Sequence, residues 1–411
     1  MASLKYWVWL CTLPGLSSRS KLLLLERFSS PEEIYYTEPE DSLLTQTLPA
    51  AQAQLLGDKD LSRPDRILAD CARKELFVLT LQDAAYPARL RNIYDPPVLL
   101  YGKGSLPLFD EEAAIAVVGT RSCTPYGERS AHRLGYELAR QGALLISGMA
   151  KGIDAAAMRG AMQAGGFTAA VLGGGVDVVY PAENRRLYDD IAASGVLLSE
   201  YPPGTVPMAG HFPVRNRIIS GLSLAALVVE APERSGALIT ASAALEQGRE
   251  VFAVPGPIDA PASVGCNRLI REGAGLAASG WDILSEYQSR FPHRLHPLHV
   301  TVPEPPQAPE ETREDAASQA PLPAPKKEPS ALPVLDLDRN REGLTDDQLT
   351  LIRQLDTEKP LLTDDLAQRT GLPVRRVLSA LTVLEIDGFA RCTGNRSYVR
   401  TVALYSKKEG S

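Results

Sequence analysis

The stretch Ala113–Gly148, "AAIAVVGTRSCTPYGERSAHRLGYELARQGALLISG", decides the reading of the fold. It opens on an unbroken apolar run ending in Gly119, crosses a polar turn and continues with helical spacing from Tyr126. A second apolar run, "ALLISG", ends in Gly148. A continuous apolar strand is one buried on both faces, as in a parallel sheet. The same unit repeats downstream: helix "IDAAAMRGAMQAG", strand "FTAAVLGGG", helix "AENRRLYDDIAAS", strand "VLLSEY". Then come strand "LAALVVEA", helix "ALITASAALEQG", strand "EVFAVPG" and helix "NRLIREGA". Repeated strand–helix units of this length predict a parallel sheet with helices on both faces, an α/β fold. Ligands of such sheets bind beyond the carboxyl ends of the strands.

Those ends carry Gly119, Gly148, Gly173, Gly174, Gly175, Gly236 and Gly256. Glycine lets backbone amides come close to a phosphate. Any one of them could equally serve a tight turn. Gathered on one edge, they predict a crevice.

At 411 residues the chain is expected to hold two or three domains. Five scattered cysteines without a CxxC pair imply a reducing compartment and exclude a disulfide framework. "KYWVWLCTLPGL" near the N-terminus lacks a small-residue cleavage site and is too short to span a bilayer. No secretion signal or membrane span is expected, and the cytoplasm is the expected location. Residues 1–75 read as a helical unit. "LPGLSSRSKLLLLERFSSPEEIY" within it fits a helix-hairpin-helix or a plain helical bundle. The sheet domain is read over 76–291. From Pro292 to Pro333 lie 11 of the 32 prolines, so 292–342 reads as a flexible linker. Residues 343–402 read as three helices and a β-ribbon, a winged helix, with Arg375 and Arg376 on its third helix and Arg391 and Arg396 in its wing. Ten basic against nine acidic residues from Gly343 onward leave duplex DNA and a protein partner equally open.

Familiar catalytic chemistries fail on spacing. The first turn, "GTRSCTPYG", puts Arg121 where a dinucleotide fingerprint needs its second glycine. There is no P-loop and no G-x-S-x-G elbow. His293, His296 and His299 border the linker, where no cage would fix them, and no metal or other cofactor is expected. What remains is phosphate binding without a catalytic pair. From Ala113 to Tyr287 there are 13 arginines and one lysine. Arginine offers phosphate a two-pronged donor and can stack on a base. Arg121 sits in the first strand-to-helix loop and Lys151 in the second. Arg215 and Arg217, in "FPVRNRIISGLS", are expected at a helix start whose amides add positive character. Phe212 is placed to stack on a base. Asp154, Asp177 and Glu200 are the carboxylates that could pair with these cations instead. A few converging arginines suffice even in a chain of net charge −7, because a crevice focuses local field.

Taken together, "VVGTRSCTPYG", "SGMAKGIDAAA", "VLGGGVDVVYP", "SEYPPGTVPMAGHFPVRNRIISGLS", "VVEAPERSGALITA", "GREVFAVPGPID" and "GCNRLIREGA" resemble the DNA-processing protein A (DprA/Smf) family. The resemblance spans about Tyr86 to Tyr287. It implies an extended Rossmann-like sheet with an N-terminal SAM-like helical domain and a C-terminal winged helix. It further implies a non-catalytic, homodimeric mediator that binds single-stranded DNA and loads the RecA recombinase onto it during natural transformation. Arg121, Arg215 and Arg217 match the family's DNA-binding arginines; Lys151, Asn216 and Phe212 extend that set. Where many relatives carry a basic residue shortly before "HFP", this chain has "PMAGHFP". The rivals are a duplex-DNA regulator acting through the winged helix, a phosphoribohydrolase of the LOG type and a nucleotide sensor. "PERSGALITASAALEQ" departs from the glycine run and glutamate spacing of the LOG enzymes.

Overall fold

The computed structural model describes residues 4–297, 334–336, 344–357, 359–394 and 397–405. The chain forms two compact units, Met1–Glu310 and Glu311–Ser411.

The first unit is built on nine strands: β1 (Phe77–Thr80), β2 (Leu99–Gly104), β3 (Ala114–Val118), β4 (Leu144–Ser147), β5 (Thr168–Val171), β6 (Val196–Ser199), β7 (Ala225–Val228), β8 (Glu250–Ala253) and β9 (Gly275–Leu276). Their order across the sheet is β1-β2-β6-β5-β4-β3-β7-β8-β9. From β6 to β9 all neighbours are parallel, whereas β2 joins β6, and β1 joins β2, antiparallel. The alternation along each strand divides the core in two. Ile115, Val117, Leu145, Leu197 and Leu227 face one helical layer; Ala114, Ala116, Ile146, Val171 and Val228 face the other. The expected α/β class therefore holds, and each apolar run is apolar throughout because both faces are covered. The antiparallel pair β1–β2 was not anticipated: in 77–104 the strands are short and interrupted by the "DAAYPARLRNIYDPP" excursion.

The helix Leu4–Thr12 buries Tyr6 through Leu10. Trp9 and Leu10 join a helical core with Leu24, Phe28, Ile34 and Leu44. Trp7 and Val8 instead pack with Leu22, Cys71, Leu99 and Tyr101, so the helical layer rests on β2. Lys74 reaches across to Asp177, whose other oxygen accepts from the Gly204 amide at 2.8 Å. Among the described residues no helix is long and apolar enough to cross a membrane.

Chain packing against the sheet runs past the expected start of the linker at Pro292. Leu295 is 1% exposed, Arg294 pairs with Glu112 at 2.9 Å, and the His296 amide donates to the Gln141 carbonyl. The rest of the expected linker, residues 298–333 and 337–342, lies outside the described residues, as does His299.

The second unit has helices Asp346–Gln354, Thr363–Thr370 and Val374–Ile386 and a three-stranded sheet in the order Leu361–Leu362, Ser397–Arg400, Ala390–Gly394. This is a winged helix. Two features differ from expectation. Leu361–Leu362 adds a third strand to the expected β-ribbon, and Val334–Asp336, within the expected linker, pairs in parallel with Ala403–Tyr405.

Candidate nucleic-acid interface

Four strand ends build the crevice: those of β5, β4, β3 and β7. The chain leaves β3 toward β4 on one side and returns to place β7 on the other. Such a reversal opens a gap at the carboxyl edge between the two strands.

The loop after β3 is fixed from β7. Glu230, 2% exposed, accepts at its carbonyl from the Thr120 amide at 2.7 Å. Its carboxylate accepts from the Thr124 amide and the Thr124 hydroxyl, both at 2.7 Å. Thr124 in turn caps the helix Pro125–Arg140, accepting from the Gly127 amide at 3.1 Å. Arg121 lies between these anchors and is exposed.

Phe212 is half-buried at the centre of the site. The Arg121 guanidinium lies 4.6 Å from its ring centroid and that of Arg215 6.0 Å, while the Tyr180 ring is 5.6 Å away. Two pockets meet along Arg121 and Phe212. One, of about 160 Å³, is walled by Tyr180, Pro181, Pro207 and Phe212, with Lys151 also lining it. The other, of about 360 Å³, is lined by Arg121, Arg215, Asn216, Arg234 and the first turn of the helix Gly236–Glu246. Ser235 caps that helix by accepting from the Ala237 amide, leaving other first-turn amides to add partial positive charge. The first pocket offers flat apolar walls; the second offers three guanidiniums and a helix N-terminus, with the Asp154 carboxylate also on its lining. An aromatic platform beside an anion site is the chemistry a nucleotide needs.

Arg215 forms the floor. It is 4% exposed and donates from Nη1 to the Val171 carbonyl at 2.5 Å, while its Nε has no partner among the described residues. Burial pushes its pKa down to about 10, with Asp154 opposing, so it stays charged at neutral pH. Burial also raises the carboxyl of Asp154, although Arg215 and the amides of Ala150 and Gly148 oppose it. Asp154 accepts from the Gly148 and Ala150 amides and makes no ion-pair contact with Arg215. A buried cation without a contacting anion is costly alone and attracts an incoming one.

Several expectations need correction. Arg217 lines neither pocket. It donates to Asp95 at 3.1 Å and Glu200 at 2.9 Å, with its side chain only 13% exposed. Burial would lower its pKa, but Glu200 and Asp95 outweigh that and hold it above the usual value. Nor do the arginines sit at a helix start. The helix runs His211–Leu222, with Pro213 tolerated in its first turn, so Arg215 and Arg217 are its fifth and seventh residues. Lys151 is exposed but paired with Glu183. Asn216 lies against the helix start, its amide 3.5 Å from the Gly236 carbonyl.

The glycines serve packing more than ligand approach. A Cβ on Gly148 would fall 1.9 Å from Arg215 Nη1, one on Gly173 2.9 Å from the Phe212 ring, and one on Gly119 2.5 Å from Ile153. At Gly174 it would meet Pro207 at 2.8 Å. Only Gly236 of this set faces open space. Arg234 and Tyr180 were missed in the sequence. The signal for Arg234 is its place just before a Ser cap at a strand-to-helix junction. In the loop ahead of "HFP", Val206 and Met208 are 70% and 59% exposed.

Within the second unit, Arg376 is held by Asp347 through two bonds of 2.7 and 2.8 Å, leaving Arg375 and Arg391 exposed. Arg396 lies outside the described residues. Among the described residues no three His, Cys, Asp or Glu side chains gather as a metal site.

Comparison with known proteins places these features in one group. The family model for DNA recombination-mediator protein A matches residues 77–288, and that for the DprA winged helix domain matches residues 303–395. The DNA processing protein DprA of Bacillus subtilis is 39% identical over 282 residues, 68% of this chain and 94% of that one. DprA of Streptococcus pneumoniae is 48% identical over 209 residues, 51% of this chain and 73% of that one. The X-ray structure of DprA from Streptococcus pneumoniae aligns with a TM-score of 0.61 at 38% identity, covering 69% of this chain and 97% of that one.

Proposed function

Since the chain belongs to the DNA recombination-mediator protein A (DprA/Smf) family of DNA-processing proteins, we propose that it grips single-stranded DNA in the crevice at the ends of β3, β4, β5 and β7. The observation that carries this reading is the Arg121–Phe212–Arg215 stack, with Arg234 and a helix N-terminus beside it. Phosphates meet the guanidiniums of Arg121 and Arg234 at the rim. Arg215 supplies fixed charge from below. A base lies against Phe212 or Tyr180 in the smaller pocket, where double-stranded DNA, with its bases already stacked, has nothing to insert. The contact is stoichiometric, without a bond made or broken. In the cytoplasm, a homodimer would hold two strand segments and pass them to the RecA recombinase, as the family resemblance implies for natural transformation. The dimer reading is supported by Leu276 on the edge strand β9, which is 51% exposed.

Titration of a labelled oligothymidylate across a salt series tests the reading. Arg121→Ala should weaken binding and reduce the slope of log affinity against log salt by up to about 0.7. Equal slopes for Arg121→Ala, Arg234→Ala and the unaltered protein would remove the crevice from DNA binding.

A further inference from the structure

The structure holds a second aromatic–cation site outside the crevice. Tyr94 is 82% exposed on the segment that follows the short helix Ala88–Arg91. The Arg19 guanidinium lies 5.4 Å from its ring centroid. Arg19 comes from the helix Ser18–Arg27 of the N-terminal helical layer, so the pair bridges that layer and the sheet domain. Together they border a hollow of about 240 Å³ with an apolar floor of Leu22, Leu25, Ile93 and Pro96. Two other charged groups face it. Arg91 is spent on the carbonyls of Leu81, Asp83 and Tyr86, and Glu26 is the one carboxylate on its lining. Among the described residues Arg19 has no ion-pair partner.

A large, exposed ring beside an unneutralised guanidinium contributes nothing to the core. Folding leaves both in water although apolar surface lies directly below. The segment is nevertheless held in place. Pro96 and Pro97 follow Tyr94, the Tyr86 hydroxyl donates to the Pro97 carbonyl at 2.7 Å, and Asp95 is clasped by Arg217. Arg217 is on the same helix as Phe212, five residues further on, or about 7.5 Å along the axis. The crevice and Tyr94 are thus joined through one rigid helix and one ion pair.

We propose that Tyr94 and Arg19 form a second contact for the same single strand, taking a base on the open ring face and a phosphate on the guanidinium. This rests on the crevice binding single-stranded DNA. It makes the N-terminal helical layer part of the DNA-binding surface. A strand that fills only the crevice does not reach it; a longer strand does.

The test compares oligothymidylates of about 6 and about 20 nucleotides on the full chain, by fluorescence anisotropy. Tyr94→Ala should weaken the longer strand about fivefold or more and leave the shorter one unchanged, whereas Tyr94→Phe should bind both normally. Arg19→Ala should lower the salt slope by about 0.7 for the longer strand alone. Thermal melting, unmoved for so exposed a side chain, confirms that folding is intact. Unchanged affinity for the longer strand in both alanine variants would overturn the proposal. An equal loss for both lengths would overturn it too, by making Tyr94 part of the crevice. Arg121→Ala, read on the shorter strand, reports the crevice separately.

Discussion

Replacing Arg217 by Ala should unfold the protein more easily and leave its grip on DNA's charge unaltered. Arg217 donates 3.1 and 2.9 Å bonds to Asp95 and Glu200, and its own side chain is 13% exposed. Breaking a buried pair from one side costs about 3–5 kcal/mol, because the remaining charge is stranded. Here two carboxylates are stranded, but Asp95 and Glu200 keep 34% and 23% exposure, so water recovers part of the loss. The lower end, about 3 kcal/mol, follows, or roughly 6 °C in the melting of the first unit. Differential scanning calorimetry reads this directly. Adding Asp95→Asn and Glu200→Gln to Arg217→Ala should restore much of the loss, since no unpaired charge then remains. The salt slope for a strand of about 6 nucleotides, which reads the crevice alone, should match that of the unaltered protein. An Arg217→Ala variant that melts normally but loses about 0.7 from its slope would refute the reasoning, and would return Arg217 to the DNA-contacting set.

Gly148→Ala should expel the Arg215 guanidinium from beneath Phe212, since the new Cβ falls 1.9 Å from Nη1; a loss of about 1–3 kcal/mol in stability, with weaker oligonucleotide binding, is the expected result of equilibrium unfolding and titration. Phe212→Ala should cost about 1–3 kcal/mol of binding with an unaltered salt slope, because a stacking surface and not a charge is lost. At Asp177 burial alone would raise the carboxyl, but Lys74 and the Gly204 amide hold it below its usual value. A carboxyl lowered on folding stabilises the fold above its unfolded pKa and stops doing so as pH falls through the folded one. Asp177→Asn should therefore cost about 1 kcal/mol at neutral pH, and the gap to the unaltered protein should close below about pH 4 in pH-dependent melting. A gap that persists in acid would remove charge from the explanation.

The parallel sheet was legible because short apolar runs ending in glycine, as at Ala114–Val118, alternate with stretches of helical spacing. The location of the crevice followed from topology. The direction of each side chain did not. Arg215 and Arg217 are two residues apart on one helix and point to different surroundings, one to the Val171 carbonyl and one to Glu200. Sequence spacing cannot tell which carboxylates from distant segments arrive beside them; Asp95 is 122 residues from Arg217. The glycines are ambiguous in sequence for a related reason. A missing Cβ shows that something comes close, but not whether it is a ligand or the protein's own guanidinium. Tyr180 and Arg234 were unmarked because their importance lies in proximity to Phe212 and Arg121, which only the folded chain creates.

Glu230 connects the two rims. It belongs to the segment leading to Arg234, yet it holds Thr120 and Thr124 on either side of Arg121. The backbone positions that carry those two arginines are therefore set once the polypeptide has folded. On the proposed reading, an arriving strand meets that fixed backbone and does most of the adapting. Ordering costs then fall on the nucleic acid, whose backbone is alike whatever its bases. A grip of this kind is indifferent to genetic content, which suits a handler of DNA of any origin.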